Sequence, residues 1–323
     1  MIRSQRDDGR CRIGFTLIGG PRWAGGLNYL YTVLHAVSHD LSDRFSACLL
    51  ISQEDEDLAR QKFGGLADVH IIVDPRACGA GAGRRAVSAL LTGRDALFAH
   101  LVSEQHIDLV FETARFFGFR FPVPVLSWIP DFQHRHLPWL FSRRAWWKRD
   151  IGFRAQCAGR RIVLLSSRTA ERDCHRFYPS ARGRTHVARF AATLDIAKAV
   201  ERAATVRATY AIPDRFLFLP NQFWIHKNHR VVIDSLRHLK AEGTIDQVMP
   251  VILSGHTQDP RRPHLFSDSM RAADEAGIDG WFRHLGAIPY EDVLALNAAS
   301  QGLLNPSLFE GWSTTLEEAK ALG

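Results

Sequence analysis

The segment from Asn305 to Gly323 reads NPSLFEGWSTTLEEAKALG and carries three glutamates, of which Glu310 precedes a helix start and Glu317 and Glu318 follow it. The apolar run before it predicts a strand, and the pattern after Ser313 predicts an amphipathic helix. Glycine lets a backbone approach a ligand closely, and the free amides of a helix start bind anions. Two interpretations stay open on these grounds. The segment is either an anion site between two carboxylates or an ordinary capped helix with favourable first-turn charges.

The rest of the chain alternates strand-like apolar runs with helical patterns, for example helices over 85–100 and 229–241. This alternation predicts an α/β protein with parallel sheets covered by helices. We therefore expect two Rossmann-like, doubly wound domains that face a cleft. They are an acceptor-side domain over 1–190, a hinge over 191–213 and a donor-binding domain over 214–323. The last helical pattern has no closing strand after it, so the second domain is expected to be incomplete.

Composition and charge limit the function classes. The 323 residues are 46% hydrophobic and 23% charged, and no apolar run has the length of a membrane-spanning helix. The polar start, Met1–Arg12, lacks a signal-peptide core, which predicts a cytoplasmic protein. The net charge of +7 permits nucleotide diphosphates or acidic lipid headgroups as partners. The arginine pairs are dispersed without stacking aromatics, so no nucleic-acid groove is predicted.

A second block, LPNQFWIHKNH over residues 219–229, places Lys227 and Asn228 at a strand-to-helix junction. A lysine at a helix start can neutralise a diphosphate as a point charge, although a surface lysine beside an N-cap is the simpler alternative. His226 and His229 could be read as metal ligands, but we expect no metal site. The five cysteines are scattered singly and predict neither a disulfide framework nor a zinc site.

A third block places Gly25 and Gly26 after the first predicted strand, where a glycine loop could approach a phosphate. The glycine-rich stretch 79–83 lacks the strand–turn–helix context of a dinucleotide loop. This lack argues against a nicotinamide-dependent oxidoreductase, which we keep as an alternative. The D-x-D pattern at Asp55 and Asp57 lies in a polar stretch and is interpreted as a solvated surface.

A fourth block, WIPDFQHRHLP over 128–138, follows another predicted strand and carries Asp131 and His134. An aspartate and a histidine in such a loop could orient or deprotonate an acceptor hydroxyl, and a purely structural turn is the alternative. Ser254 and Gly255 end a strand of the second predicted domain and could flank a nucleotide.

Together these blocks resemble the retaining family 4 glycosyltransferases, which have the GT-B fold. The segment 305–323 resembles their E-x7-E motif through Glu310 and Glu318. The resemblance implies that Glu310 faces hydroxyls of the donor sugar and that Glu318 binds the ribose of the nucleotide. It also implies that the backbone amides of Gly311, Trp312 and Ser313 lie near the sugar and the diphosphate.

The other blocks add to the resemblance. Lys227 and Asn228 resemble the family's lysine–asparagine element, whose lysine grips the donor diphosphate, while Gln222 stands where an arginine is usual. Gly25 and Gly26 stand at the family's glycine loop, which faces the donor phosphates and the acceptor.

Two further positions follow the family pattern less closely. Asp131 and His134 stand near the family's His-Asp pair, which implies acceptor-side roles. The loop that contains Ile288 resembles the base pocket.

The resemblance runs in patches from Arg12 to Gly323. It implies transfer of a hexosyl unit from a nucleotide-diphosphate sugar to a hydroxyl acceptor, with anomeric configuration retained and without a metal or another cofactor. Polysaccharide or glycolipid biosynthesis fits the charge and the expected cytoplasmic location. The expected partners are a nucleotide sugar and a saccharide or lipid-linked acceptor, with peripheral contact to the cytoplasmic face of a membrane. A weakly active fragment, or a non-catalytic remnant that binds nucleotide sugar, is the second alternative.

Overall fold

The computed structural model describes residues 9–18, 24–77, 82–113, 115–192 and 194–323. The chain forms two compact units. Unit 1 comprises Met1–Phe132 and Arg143–Ala191, and unit 2 comprises Gln133–Ser142 and Ala192–Gly323. The short segment from 133 to 142 therefore groups with unit 2, although the predicted domain boundary lies near residue 190.

The sheet of unit 1 is built, within the described ranges, from seven parallel strands: β1 Cys11–Thr16, β2 Phe45–Ile51, β3 Val69–Val73, β4 Leu109–Thr113, β5 Val125–Ile129, β6 Ile162–Leu165 and β7 Thr185–Val187. Their order is β3-β2-β1-β4-β5-β6-β7. In the register of the central strands, Ile13 lies opposite Ala47 on one side and Leu109 on the other. Strands buried on both faces are near-continuous apolar runs, and β2 is one, with its last six residues buried.

The helices of unit 1 are α1 Ala24–His35, α2 Glu56–Phe63, α3 Ala82–Thr92, α4 Ala96–Glu104, α6 Arg143–Cys157 and α7 Arg168–Phe177, and a π-helical turn, Ala36–Asp40, continues α1. The prediction of one helix over 85–100 is wrong, because the chain breaks between α3 and α4. Gly93 has a φ of +87°, which a glycine adopts without steric cost. Asp95 then caps α4 by accepting a hydrogen bond from the Phe98 N–H at 3.2 Å.

A buried ion pair lies in the core of unit 1. Glu112 on β4 is fully buried, and the Arg161 Nε lies 3.2 Å from its Oε2. The hydroxyl of Ser127 donates to the same oxygen, and the Phe117 N–H donates to Oε1 at 2.8 Å. Burial raises the pKa of Glu112, while Arg161 and the hydrogen bonds act against that rise. Both carboxylate oxygens are thus committed to protein donors.

The sheet of unit 2 consists, in the described part of the chain, of four parallel strands: β8 Leu217–Leu219, β9 Val251–Leu253, β10 Phe282–His284 and β11 Gly302–Leu303. Their order is β10-β9-β8-β11, which repeats the order of the first four strands of unit 1. Its helices are α5 Gln133–His136, α8 Ile196–Thr209, α9 His229–Ala241, α10 Leu265–Glu275, α11 Tyr290–Ala299 and α12 Thr314–Leu322. The helix predicted over 229–241 is confirmed as α9.

Helix α8 occupies most of the predicted hinge and packs against α11. Asp292 is buried on α11, and its two oxygens accept hydrogen bonds from Arg202 Nε at 2.6 Å and from the Tyr210 hydroxyl at 2.8 Å. A buried carboxylate needs such partners, because transferring it from water to the protein interior without hydrogen bonds costs free energy. The stretch between the two sheets is therefore a packed helix of unit 2 over most of its length.

Candidate functional site

Four loops of unit 2 begin where β8, β9, β10 and β11 end. The carboxyl ends of parallel strands lie at one edge of a sheet, so these loops share that edge. The first and last of them are joined by two hydrogen bonds. The Leu308 N–H donates to the His226 carbonyl at 2.8 Å, and the Asn228 side-chain amide donates to the Pro306 carbonyl at 3.2 Å.

The loop after β8 ends in a 3-10 turn, Ile225–Lys227, directly before α9. Asn228 then adopts the left-handed conformation, with φ +56° and ψ +41°. Among non-glycine residues, asparagine is one of the few that visit this region routinely. The turn places Lys227 at the helix start, where the sequence pattern predicted a cation.

Lys227 and Glu310 form an ion pair at this edge. The Lys227 Nζ lies 2.6 Å from the Glu310 Oε1, although 83 positions separate the two residues in the sequence. The lysine side chain is 16% exposed and the glutamate side chain 24% exposed, so solvent reaches both. The structure thus brings together two residues that the sequence analysis took from separate blocks.

The start of α12 is organised by short polar side chains. The Ser313 hydroxyl caps the helix by accepting the Leu316 N–H at 3.4 Å, and the Asn305 amide donates to that hydroxyl at 3.2 Å. No acceptor for the backbone amides of 311–313 is found within the described ranges of the chain. The indole N–H of Trp312 is buried, and it has no acceptor among the residues that the structure describes either. This loop therefore carries several uncommitted donors beside Glu310.

Glu318 lies inside α12 and is buried, with 6% of its surface exposed. The Tyr290 hydroxyl, at the start of α11, donates to the Glu318 Oε1 at 2.6 Å. Burial raises the pKa of Glu318 to about 7, and the hydrogen bond from Tyr290 acts in the opposite direction. Sequence reasoning did not single out Tyr290. Its only signal was a tyrosine beginning a helix two positions after Ile288, in the proposed base-pocket loop.

The loop after β9 approaches its neighbours closely at Gly255. This glycine has a φ of +138°, and a β-carbon there would lie 2.8 Å from the Asn221 carbonyl oxygen. Its N–H donates to the Gly286 carbonyl at 2.9 Å, which joins the loops after β9 and β10. Ser254 beside it is buried, and Ile288 is half-buried against the core of unit 2. Close packing by itself therefore requires a glycine at position 255, and no ligand is needed to explain this residue.

An arginine that sequence reasoning missed lies beside the lysine block. Arg261 is held by Asp259, at 2.9 Å for Nε and 3.0 Å for Nη2, and its Nη2 lies 3.4 Å from the His226 Nδ1. Asp259 is buried and also accepts the Ile225 N–H at 2.9 Å. Its pKa is lowered, since these donors outweigh the opposing effect of burial, which is the largest single contribution. The loop after β9 therefore brings a cation next to the block in which Gln222 stands.

The residues predicted on the acceptor side fall in two different units. Asp131 belongs to unit 1, where the Arg149 Nη2 lies 3.4 Å from its Oδ1. His134 belongs to unit 2 and is fully buried, with its ring centroid 6.4 Å from that of Phe141. Two residues further on, His136 stacks on the ring of Phe309 at 5.0 Å, next to Glu310.

Gly25 and Gly26 lie in the first turn of α1, so the prediction that they form a loop before the helix is wrong. Residues 19–23, which precede this helix, and residues 79–81 of the glycine-rich stretch lie outside the described residues.

Asp55 of the D-x-D pattern accepts a hydrogen bond from the Ser52 hydroxyl at 2.8 Å, at the start of α2. In the described ranges, no group of three or more His, Cys, Asp or Glu side chains is placed to hold a metal ion.

Solved structures of other proteins share this architecture. HepE from Anabaena, solved with UDP and glucose, is 15% identical, with a TM-score of 0.62 over 97% of this chain and 79% of that one. Sucrose-phosphate synthase from Thermosynechococcus elongatus is 14% identical, with a TM-score of 0.66 over 97% and 80%. WaaG, a glycosyltransferase involved in lipopolysaccharide biosynthesis, is 15% identical, with a TM-score of 0.61 over 95% and 78%.

These likenesses show the fold: the chain has the GT-B fold of glycosyltransferases. No protein-family description matches its sequence, and no curated protein matches it. No helix in the described ranges is both long enough and apolar enough to cross a membrane.

Proposed function

We propose that the chain is a glycosyltransferase that moves a hexosyl unit from a nucleotide-diphosphate sugar to a hydroxyl acceptor with retention of configuration. The observation that carries the proposal is the ion pair of Lys227 and Glu310, 2.6 Å apart at the carboxyl edge of the unit 2 sheet. Complexes with UDP among the structures of the same fold support the choice of ligand. In the reaction, the bond from the anomeric carbon to the β-phosphate oxygen breaks, and the nucleoside diphosphate leaves with the electron pair. A bond to the acceptor oxygen forms, and the proton of that oxygen passes to the leaving diphosphate, so that atoms and charge balance.

The ion pair implies a counterion exchange when the donor binds. The diphosphate replaces Glu310 as the partner of Lys227, because a diphosphate offers the lysine more negative charge than one carboxylate does. Glu310 is then free to accept hydrogen bonds from hydroxyls of the donor sugar. The uncommitted amides of 311–313 and the start of α12 take the charge that develops on the leaving group.

The remaining sites have roles that follow from the same proposal. Asn228 fixes the turn beside Lys227, and Glu318 takes the ribose hydroxyls. We assign the surroundings of the base to Ser254, Gly255 and Ile288.

On the acceptor side we assign Asp131 and His134, and we assign Gly25 and Gly26, in the first turn of α1, to the donor phosphates and the acceptor. The roles assigned to these residues require neither a nicotinamide cofactor nor a metal ion. We propose that the enzyme uses neither.

A binding assay tests the proposal. Calorimetric titration with UDP-, GDP- and ADP-sugars, and with NAD as the competing cofactor, should give binding to one nucleotide sugar and none to NAD. Binding of NAD alone would favour the oxidoreductase. Binding of a nucleotide sugar without transfer to any hydroxyl acceptor would favour the non-catalytic alternative.

The variant Glu310→Gln gives a sharper test. Removing the competing carboxylate frees Lys227, so this variant should bind the nucleoside diphosphate several-fold more tightly than the unaltered protein, while its turnover falls by about a hundredfold. Lys227→Met should weaken diphosphate binding and leave the affinity for the nucleoside unchanged. Weaker diphosphate binding by Glu310→Gln would contradict the exchange.

A polysaccharide or glycolipid role with a lipid-linked acceptor is part of the proposal, and one face of α6 supports it. Trp147 and Ile151 are 54% and 48% exposed there, and exposed cations recur beside them at helical spacing, namely Arg143, Arg144, Lys148 and Arg154. Aromatic and basic side chains on one helix face suit an anionic bilayer surface. Co-sedimentation with vesicles of phosphatidylglycerol and phosphatidylcholine should fall for Trp147→Ser. It should not fall for Leu91→Ser, an equally drastic change at an 83% exposed position of α3.

A further inference from the structure

The contact between Tyr290 and Glu318 joins the starts of two helices of unit 2. Tyr290 is the first residue of α11, and Glu318 lies in the second turn of α12. The hydrogen bond of 2.6 Å from the phenol occupies Oε1 of the carboxylate. Within the part of the chain that the structure describes, no donor reaches Oε2. One carboxylate oxygen of Glu318 is thus bound by the protein, and the other can accept a hydrogen bond from a ligand.

The charges around this carboxylate are few. Glu291 follows Tyr290 on α11, and on α12 the neighbouring Glu317 accepts a hydrogen bond from Lys320 at 2.8 Å. The nearest cation on its own helix is therefore already paired. Glu318 is buried and has no counterion among the residues that the structure describes, so the phenol is the group that stabilises its ionised form.

We propose that Tyr290 is a positioning residue that holds Glu318 ionised and oriented so that its second oxygen accepts the ribose hydroxyls of the donor nucleotide. The proposal rests on the proposed function and adds a source of selectivity to it. The hydrogen bond to Oε1 favours one orientation of the carboxylate, in which its other oxygen selects a ribose diol over a ribose that lacks the 2′-hydroxyl. A polar site built to bond a hydroxyl rejects the analogue that lacks it, because its acceptor is left unpaired.

The test is Tyr290→Phe, which removes one oxygen atom and keeps the ring. Binding of UDP and of GDP is measured by calorimetry beside their 2′-deoxy forms. At about pH 7, Tyr290→Phe should bind the ribonucleotide about tenfold more weakly, the effect of losing a hydrogen bond to a charged group. The 2′-deoxy form should lose much less, so that discrimination falls.

The pH dependence separates positioning from a general structural defect. Losing the phenol raises the pKa of Glu318 further, so the variant needs a higher pH to ionise the carboxylate. Its affinity should therefore recover toward that of the unaltered protein as the pH rises from about 7 to about 9. A structural defect would give a loss that does not depend on pH.

The chain offers a matched control. Tyr210→Phe removes a phenol-to-carboxylate hydrogen bond of 2.8 Å, to Asp292, in the same unit, and leaves the contact of Tyr290 with Glu318 in place. It should leave both the discrimination and the pH profile unchanged. In a Glu318→Gln background, Tyr290→Phe should add nothing, which also keeps the test valid if Tyr290→Phe alone folds poorly.

The outcomes are separable. If the unaltered protein binds no nucleotide, the proposed function fails and the role of Tyr290 with it. If it binds nucleotide and Tyr290→Phe keeps the same discrimination and pH profile, only the role of Tyr290 is overturned.

Discussion

The two units each contain a carboxylate paired with a cation, and the two pairs differ in what else touches them. In unit 1, Glu112 and Arg161 are 0% and 6% exposed, and both oxygens of the glutamate accept hydrogen bonds. In unit 2, Lys227 and Glu310 are solvent-accessible and are joined by one hydrogen bond, from Nζ to Oε1. A saturated, buried pair has no capacity for a ligand, whereas an open pair can exchange its partner. The same kinds of charge thus form part of the core in one unit and of a solvent-accessible edge, the proposed binding site, in the other.

Breaking the buried pair should have the largest effect. Arg161→Met leaves Glu112 in the core without its counterion, and we expect the free energy of unfolding to fall by about 3 to 5 kcal/mol in urea titrations. The double variant Arg161→Met with Glu112→Leu should recover part of this loss, because no buried charge then remains. A loss of under about 1 kcal/mol in the single variant would mean that the two pairs are alike.

A buried base beside the open pair should give an acid-dependent effect of similar size. His229 stacks on Phe223 at 4.0 Å, and burial lowers its pKa from 6.5 to about 4. A depressed pKa contributes stability at pH values above 6.5, and this stability is lost as the pH falls through 4. Comparing His229→Gln with the unaltered protein by urea unfolding across this window isolates the contribution, roughly 3 kcal/mol. Parallel curves for the two proteins would contradict it.

The next largest effect is expected on stabilisation by a nucleotide, which should depend on the ion pair of unit 2 and not on that of unit 1. At about 100 times its dissociation constant, UDP or GDP should raise the free energy of unfolding by about 2.7 kcal/mol. Lys227→Met should reduce this gain, measured by the same urea titrations. Arg161→Met should keep it where the protein remains folded, since that residue belongs to unit 1. If the nucleotide stabilised Lys227→Met as much as the unaltered protein, Lys227 and Glu310 would not belong to the donor site.

The smallest effect is expected for the open pair without nucleotide. Lys227→Met should change the free energy of unfolding of the ligand-free protein by less than about 1 kcal/mol, because partly exposed ion pairs contribute little. Arg230→Met, which removes an exposed cation one turn along α9, is the control of similar size. If Lys227→Met destabilised the protein as strongly as Arg161→Met, the open pair would be a structural element.

Periodicity predicted most of the fold because parallel strands and capped helices have strong local signals. The apolar run VHIIV forms β3, and the helical pattern predicted over 229–241 forms α9. Helix α6 was not predicted, since its exposed face alternates tryptophan with arginine and lysine and shows no simple apolar stripe. β7 was also missed, because three residues are too short for a period-two pattern.

The candidate site could be predicted one residue at a time, and its contacts could not. Lys227 and Glu310 each follow a strand, which local pattern detects, but their pairing depends on β8 and β11 being neighbours in the sheet. Tyr290 had only the weak signal of its place after the Ile288 loop and Arg261 had none, because each contacts a partner that is distant in the sequence. The roles of these residues in binding remain predictions.

The left-handed turn at Asn228 limits which residues evolution can accept at that position. Glycine would adopt the backbone angles but could not donate to the Pro306 carbonyl, and aspartate would tolerate the angles but has no amide to donate. A β-branched residue would meet neither condition. Homologues that keep this turn should therefore keep asparagine here even where the surrounding aromatic residues vary. Substitution frequency at this single site is thus a simple marker of whether a distant sequence still makes the same turn.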